Sequence, residues 1–169
     1  NENNYNFHLK LDKNTSFTPY LFSLNKINYF WDKTILAYNY DIDQLGIEIK
    51  EFMPTYEEAI ELLKNKNLEI KPISYSKIFR KPNFKISVKS IKRVLSYQLR
   101  KLTASIRNKQ FNLSYPLIGG YADILVIDSK TIKKFCTYSG VFSATKLHVE
   151  LAVPTALVFS GCKIVVEED

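Results

Sequence analysis

Two aspartates separated by one residue follow directly on an apolar segment of the chain. Asp41 and Asp43 come after residues 34–40, whose β-branched and aromatic side chains predict a strand. Two carboxylates at a strand end can bind a divalent cation, and oxygen ligands suit Mg²⁺ or Mn²⁺. Such a cation neutralises the charge of a departing diphosphate. The pattern predicts a Mg²⁺ or Mn²⁺ site, and the alternative is that Asp43 caps a helix over residues 43–52 while Asp41 is solvated.

A single acid, Glu150, stands within the otherwise mostly apolar residues 147–155. We expect its carboxylate to be partly buried, and a carboxylate shielded from water is a stronger base than a solvated one. Glu150 is therefore a candidate general base that would activate an acceptor hydroxyl. The alternative is a structural acid paired with Lys146 or another basic residue. The neighbouring His148 is predicted to be a helix-surface or core histidine.

A pair of glycines, Gly119 and Gly120, precedes an apolar run over residues 122–127. The run predicts a strand that is covered on both faces. Two adjacent glycines allow close backbone approach and open their amides to a ligand. The pattern predicts a ligand-binding turn in which Tyr121 and Asp123 also take part, and a plain tight turn is the alternative.

The middle of the chain is strongly basic. Between Glu69 and Asp123 lie twelve Lys and Arg residues and no Asp or Glu. Subtracting these twelve from the net charge of +7 leaves −5 for the rest of the chain. Most of the positive charges fall in residues 77–109, which contain a predicted long amphipathic helix over residues 87–108. Such segregation of charge indicates an anionic partner rather than a device for solubility.

Three kinds of partner fit this basic segment. A nucleic-acid backbone is one, and an anionic membrane surface is a second. The third is a phosphate-bearing ligand such as a nucleotide-sugar, for which Arg93 and Arg100 are candidate contacts. A solvated helix face balanced by acidic elements of the fold is the alternative to all three. No helix-turn-helix, zinc or aromatic ribonucleoprotein pattern supports nucleic-acid binding.

Predicted strands and helices alternate along the chain. The clearest helix is residues 55–66, where Thr55 and Glu58 have the spacing of a capping box. The other predicted elements are strands at 7–11, 68–75 and 163–166, helical turns within 23–31, a helix over 130–139 that Gly140 breaks, and a helix over 146–159 that contains Pro154 and ends at Gly161. This alternation predicts an α/β fold with a layered mixed or mostly parallel sheet flanked by helices.

The length of 169 residues fits a single domain over residues 1–169. Cys136 and Cys162 lie in apolar runs and are predicted to be buried free thiols, which indicates a reducing compartment. The sequence contains no run of 18 apolar residues, so no transmembrane helix is predicted. We expect a cytoplasmic protein. The first residue is not Met and the last residues follow an apolar run, so we expect a fragment of a longer protein.

Residues 115–166 resemble a stretch of bacterial glycosyltransferase-like proteins from surface-polysaccharide loci. The resemblance covers about a third of the chain and is carried by residues 119–124, Phe135, residues 140–142 and residues 149–155. It implies a GT-A-like or Rossmann-like fold and a nucleotide-sugar donor. It also implies Asp41 and Asp43 as a metal-binding pair and Glu150 as the base.

The leading hypothesis is therefore transfer of a sugar from a nucleotide-sugar to a polysaccharide or lipid-linked acceptor at the inner membrane face. The first alternative is a non-catalytic module whose basic helix binds anionic membrane or a protein partner, and the second is nucleic-acid binding. Other reaction classes lack support, because the sequence has no serine nucleophile elbow, no phosphate-binding loop, no dinucleotide-binding glycine turn and no zinc spacing.

Overall fold

The described part of the chain forms three pairs of short strands and four helices. The computed structural model describes residues 11–24, 37, 40, 42, 46–74, 110–111 and 113–167. Its elements in chain order are β1 (Thr15–Phe17), β2 (Leu21–Phe22), α1 (Ile47–Lys50), α2 (Tyr56–Lys64), β3 (Ile73–Ser74), β4 (Gln110–Phe111), β5 (Gly119–Gly120), α3 (Ile132–Ala144), α4 (Val149–Phe159) and β6 (Lys163–Val165). The predicted mixed α/β class is confirmed.

Strand pairing joins distant parts of the chain. β1 runs parallel to β6, with Thr15 opposite Lys163 and Phe17 opposite Val165. β2 is antiparallel to β5, and β3 is antiparallel to β4. Within the described ranges each pair is a separate two-stranded sheet.

The capping box predicted at Thr55 is present and starts α2. The backbone N–H and the hydroxyl of Thr55 donate to Glu58 Oε2 over 2.8 and 3.0 Å, and the Glu58 N–H donates to Thr55 Oγ1 over 3.3 Å. These bonds satisfy backbone donors that the first helical turn leaves unpaired. Ala59 and Leu63 then point into the core, where both are fully buried.

Helices α3 and α4 form a hairpin. α3 continues through Gly140 to Ala144, so the predicted break at Gly140 is wrong. One glycine inside a helix costs only about 1 kcal/mol relative to alanine, which packing against a neighbouring helix outweighs. Lys146, with a φ of 57°, makes the turn between the two helices. The predicted end at Gly161 is confirmed, since Gly161 follows α4 with a φ of 78°.

α4 is the central element of the core. Every residue from Pro154 to Phe159 is buried, as expected for a helix that is apolar on all sides. Thr155 joins α4 to the segment before β5. Its Oγ1 accepts from the Ile118 N–H over 3.1 Å and donates to the Ile118 carbonyl over 3.3 Å. Aromatic rings surround the C-terminal end of α4, with Phe142 and Tyr115 both packed against Phe159.

The strand predicted over residues 122–127 is wrong. Only Val126 makes a bridge, exchanging two backbone hydrogen bonds of 2.8 and 3.0 Å with Phe17. The segment is also not covered on both faces, because Ile124 is 46% exposed. β1 is only three residues long, and the chain turns at Asp128, whose carbonyl accepts from the Thr131 and Ile132 N–H groups at the start of α3.

Several other predicted elements are confirmed in part. Within the described residues, the helix predicted over residues 43–52 is present as α1 and the strand predicted over residues 68–75 as β3. Residues 43–45 and residue 75 lie outside the described ranges. Ala37, predicted to lie in a strand over residues 34–40, is helical, and its carbonyl accepts from the Tyr40 N–H over 3.2 Å. β6 and the second helix of the hairpin match their predicted positions to within three residues.

The two cysteines differ. Cys162 is buried and free, as predicted, whereas Cys136 is free but exposed. The prediction for Cys136 is wrong because α3 is covered on one side only: Phe142 is buried, while the neighbouring Thr137 is exposed. In the part of the chain that the structure describes, no helix is long and apolar enough to cross a membrane.

Four predicted site residues and the basic helix fall outside the described residues. These are Asp41, Asp43, Arg93 and Arg100, together with the predicted helix over residues 87–108 and the whole basic segment 77–109. Residues 7–10 of the strand predicted at 7–11, most of the helical turns predicted within 23–31, and residues 34–36 and 38–39 of the strand predicted over 34–40 also fall outside them.

Candidate ligand-binding cleft

An open cleft of about 470 Å³ lies between α2, α3 and the C-terminal end of α4. Its volume is within the range of sites that take small molecules. Its polar lining consists of Glu51, Glu58, Glu61, Asn65, Lys134 and Tyr138, and its apolar lining includes Phe52, Met53, Leu62 and Phe159. The cleft therefore combines several hydrogen-bonding groups with aromatic surface.

The helical repeat of α2 and of the turn that follows it explains why four lining residues share one wall. Glu58, Glu61, Leu62 and Asn65 are spaced three, four and seven residues from the first, so they lie on the same helical face. The core-facing residues Ala59 and Leu63 lie on another face. One face of α2 therefore packs into the core, and the adjacent face presents Glu58 and Glu61 to the cleft.

Glu58 is fixed by the capping box. Both bonds from Thr55 go to Glu58 Oε2, which leaves Oε1 for a ligand. The backbone bond from Thr55, followed by the bond from its hydroxyl, lowers the pKa of Glu58. Glu58 is therefore an anion that accepts hydrogen bonds.

Tyr138 lines the cleft from α3. Its ring packs edge-on against Phe159, with the ring centroids 6.0 Å apart. Burial, and then the negative charge of Glu58, raises the pKa of Tyr138. The hydroxyl therefore stays protonated at neutral pH and can both donate and accept a hydrogen bond.

Tyr115 is buried beneath the cleft and holds one part of its rim in place. It is 1% exposed, and its hydroxyl donates to the Pro54 carbonyl over 2.7 Å. That bond holds the segment between α1 and α2, which contributes Glu51, Phe52 and Met53 to the cleft. Burial is the main cause that raises the pKa of Tyr115, and the charges of Tyr40, Tyr138 and Glu58 add to it.

The charged groups of the cleft are not paired with one another. Among the described residues, Glu51, Glu58, Glu61 and Lys134 make no ion pair, and the ion pairs seen there are Lys71–Glu69, His148–Glu150 and Lys163–Asp12. Nor does any group of His, Cys, Asp or Glu in the described ranges have the arrangement to hold a metal ion.

No protein-family model matches this sequence, and no curated protein and no solved structure is significantly similar to it. The resemblance of residues 115–166 to glycosyltransferase-like proteins stays a hypothesis.

The structure gives a steric reason for the glycine pair. Gly119 and Gly120 are buried in β5, and a Cβ on Gly120 would lie 2.5 Å from the Tyr20 carbonyl oxygen and 2.8 Å from Pro154 Cβ. A Cβ on Gly119 would overlap the ring of Phe22. The glycines let β5 pass between β2 and α4, and a role for them in ligand binding stays a prediction.

Tyr121 and Asp123 follow β5 on the surface, and both are exposed. The Tyr121 ring packs edge-on against Tyr20, with the centroids 6.5 Å apart. None of the residues from Gly119 to Asp123 lines the cleft. Their predicted contact with substrate is not tested by this geometry.

Glu150 lies at the other end of α4 from the cleft. His148 caps the helix, since its Nδ1 accepts from the Glu150 N–H over 3.3 Å. The predicted partial burial is confirmed, because the Glu150 side chain is 26% exposed. Glu150 Oε2 lies 3.7 Å from His148 Nδ1, so the basic neighbour is His148 rather than Lys146. Glu150 and Phe159 are nine positions apart in the helix, about 14 Å at 1.5 Å per residue.

The burial of Tyr115 beneath the cleft can be tested by the dependence of stability on pH. Because the pKa of Tyr115 is raised above its ordinary value of 10.0 in the folded chain, the stability that it contributes is complete below pH 10 and is lost as the pH rises further. We expect the free energy of unfolding in urea to fall above about pH 10, with up to about 1.4 kcal/mol per pH unit for each such group.

The variant Tyr115→Phe identifies the residue responsible. It should be less stable at neutral pH, because it leaves the Pro54 carbonyl without its donor, yet its stability should fall less steeply in alkali. Equal alkaline slopes for the two proteins would contradict the assignment to Tyr115.

Proposed function

We propose that the cleft binds a carbohydrate, and that the chain is the acceptor-side part of a glycosyltransferase-like protein. The observation that carries the proposal is the lining of the cleft, where carboxylates, an amide and a phenol surround aromatic rings. Transfer would be from a nucleotide-sugar to a polysaccharide or lipid-linked acceptor.

The chemistry of a sugar matches this lining. Sugar hydroxyls donate hydrogen bonds, and ionised Glu58 and Glu61 offer oxygen acceptors on one wall. Hydrogen bonds to charged groups are stronger than hydrogen bonds between neutral groups. The apolar C–H faces of a sugar ring can pack against an aromatic side chain, and Phe52 at the rim is 61% exposed.

In this proposal the donor is bound outside the cleft. Asp41 and Asp43 would hold Mn²⁺ or Mg²⁺ against the diphosphate, and Arg93 and Arg100 would contact its phosphates. Glu150 would be the base for an acceptor that extends about 14 Å along α4 from the cleft, and the turn at Gly119–Asp123 would contact the substrate. The mixed α/β fold is compatible with a GT-A-like or Rossmann-like domain at the inner membrane face, in which segment 77–109 faces anionic lipid or a phosphate-bearing acceptor.

Glu61→Gln tests the carbohydrate site. Because the substitution removes a charged acceptor and keeps the shape of the side chain, we expect the affinity for a panel of oligosaccharides to fall by about tenfold, equivalent to about 1.4 kcal/mol. Titration calorimetry measures the affinity. Glu57→Gln is the matched control, since Glu57 is an exposed residue of the same helix that does not line the cleft.

Two outcomes would contradict the site. One is that no oligosaccharide of the panel binds to the unmodified protein. The other is that Glu57→Gln and Glu61→Gln weaken binding equally. Donor binding is checked separately, by thermal unfolding with nucleoside-diphosphate sugars with and without Mn²⁺. A ligand at about 100 times its Kd adds about 2.7 kcal/mol of stability.

The basic segment favours a second candidate function, a non-catalytic module that binds an anionic membrane. The observation is the run of twelve positive charges without an acid between Glu69 and Asp123. This function predicts sedimentation with vesicles that contain phosphatidylserine, and a steep loss of binding as salt is added. Equal binding to a random oligonucleotide would instead indicate a nucleic-acid partner.

A further inference from the structure

We draw no further inference here: the strongest candidate, the exposed aromatic surface patch that Tyr20 and Tyr121 form beside the β2–β5 pair, is an unpartnered apolar face, and nothing in the structure shows what covers it.

Discussion

Gly120→Ala is expected to lower the free energy of unfolding by about 3 kcal/mol or more, and Tm by roughly 6–12 °C. The new Cβ would lie 2.5 Å from the Tyr20 carbonyl oxygen, which is backbone and cannot rotate away. It would also lie 2.8 Å from Pro154 Cβ, in the rigid ring of a residue inside α4. Either β2 and β5 separate, or β5 moves away from the helix. Urea unfolding followed by circular dichroism measures the loss.

Gly140→Ala is the matched control. Nothing lies within 4 Å of the position that its Cβ would occupy, and Gly140 is inside α3. Alanine in a helix is about 0.5–1 kcal/mol more favourable than glycine, so this variant should be slightly more stable. If the two alanine variants had the same stability, the close approach of β5 to β2 and α4 would be refuted.

Phe142→Ala should cost about 3–5 kcal/mol, the usual loss for a fully buried phenylalanine. Phe142 is 0% exposed, and its ring centroid lies 6.0 Å from that of Tyr40 and 6.3 Å from that of Phe159. Removing the ring leaves a cavity at the centre of the α3–α4 hairpin. The measurement is again the free energy of unfolding in urea.

Phe142→Leu separates loss of volume from loss of any aromatic contact. Leucine fills much of the space, so we expect a loss of no more than about half that of the alanine variant. Neither substitution removes a residue that lines the cleft. A Phe142→Ala protein as stable as the unmodified one would show that Phe142 is not part of the core.

Local sequence signals predicted the start of α2 and the end of α4. The Thr55–Glu58 spacing fixes a start because both hydrogen bonds join residues three positions apart. Gly161 fixes an end because a residue without Cβ adopts a positive φ at little cost. Neither signal needs information from elsewhere in the chain.

Signals that depend on distant partners were less informative. The apolar run 122–127 has the composition of a buried strand, yet a strand needs neighbours of matching length. β1 offers only three residues, and Val126 alone bridges to it. The same limit applies at Gly119 and Gly120, where the sequence indicates close approach but not to which residue.

The cleft was not predicted, because it exists only after the helices pack. Glu58 and Tyr138 are 80 residues apart, and the structure brings them to opposite sides of one cavity. The available signal was the polar stripe of Glu58, Glu61 and Asn65 at helical spacing. That stripe is also typical of a solvated helix face. Only the position of α3 opposite α2 shows that the stripe lines a cleft.

The parallel pairing of β1 with β6 has a consequence for the order of folding. Thr15 and Lys163 are adjacent in the structure although 148 positions separate them. Contacts of such long range slow folding, because the loop between them must close first. During synthesis β1 must wait for β6 to emerge from the ribosome before the two can pair. Until then the edge of β1 that pairs with β6 is open to strands of other chains, which is a route to aggregation.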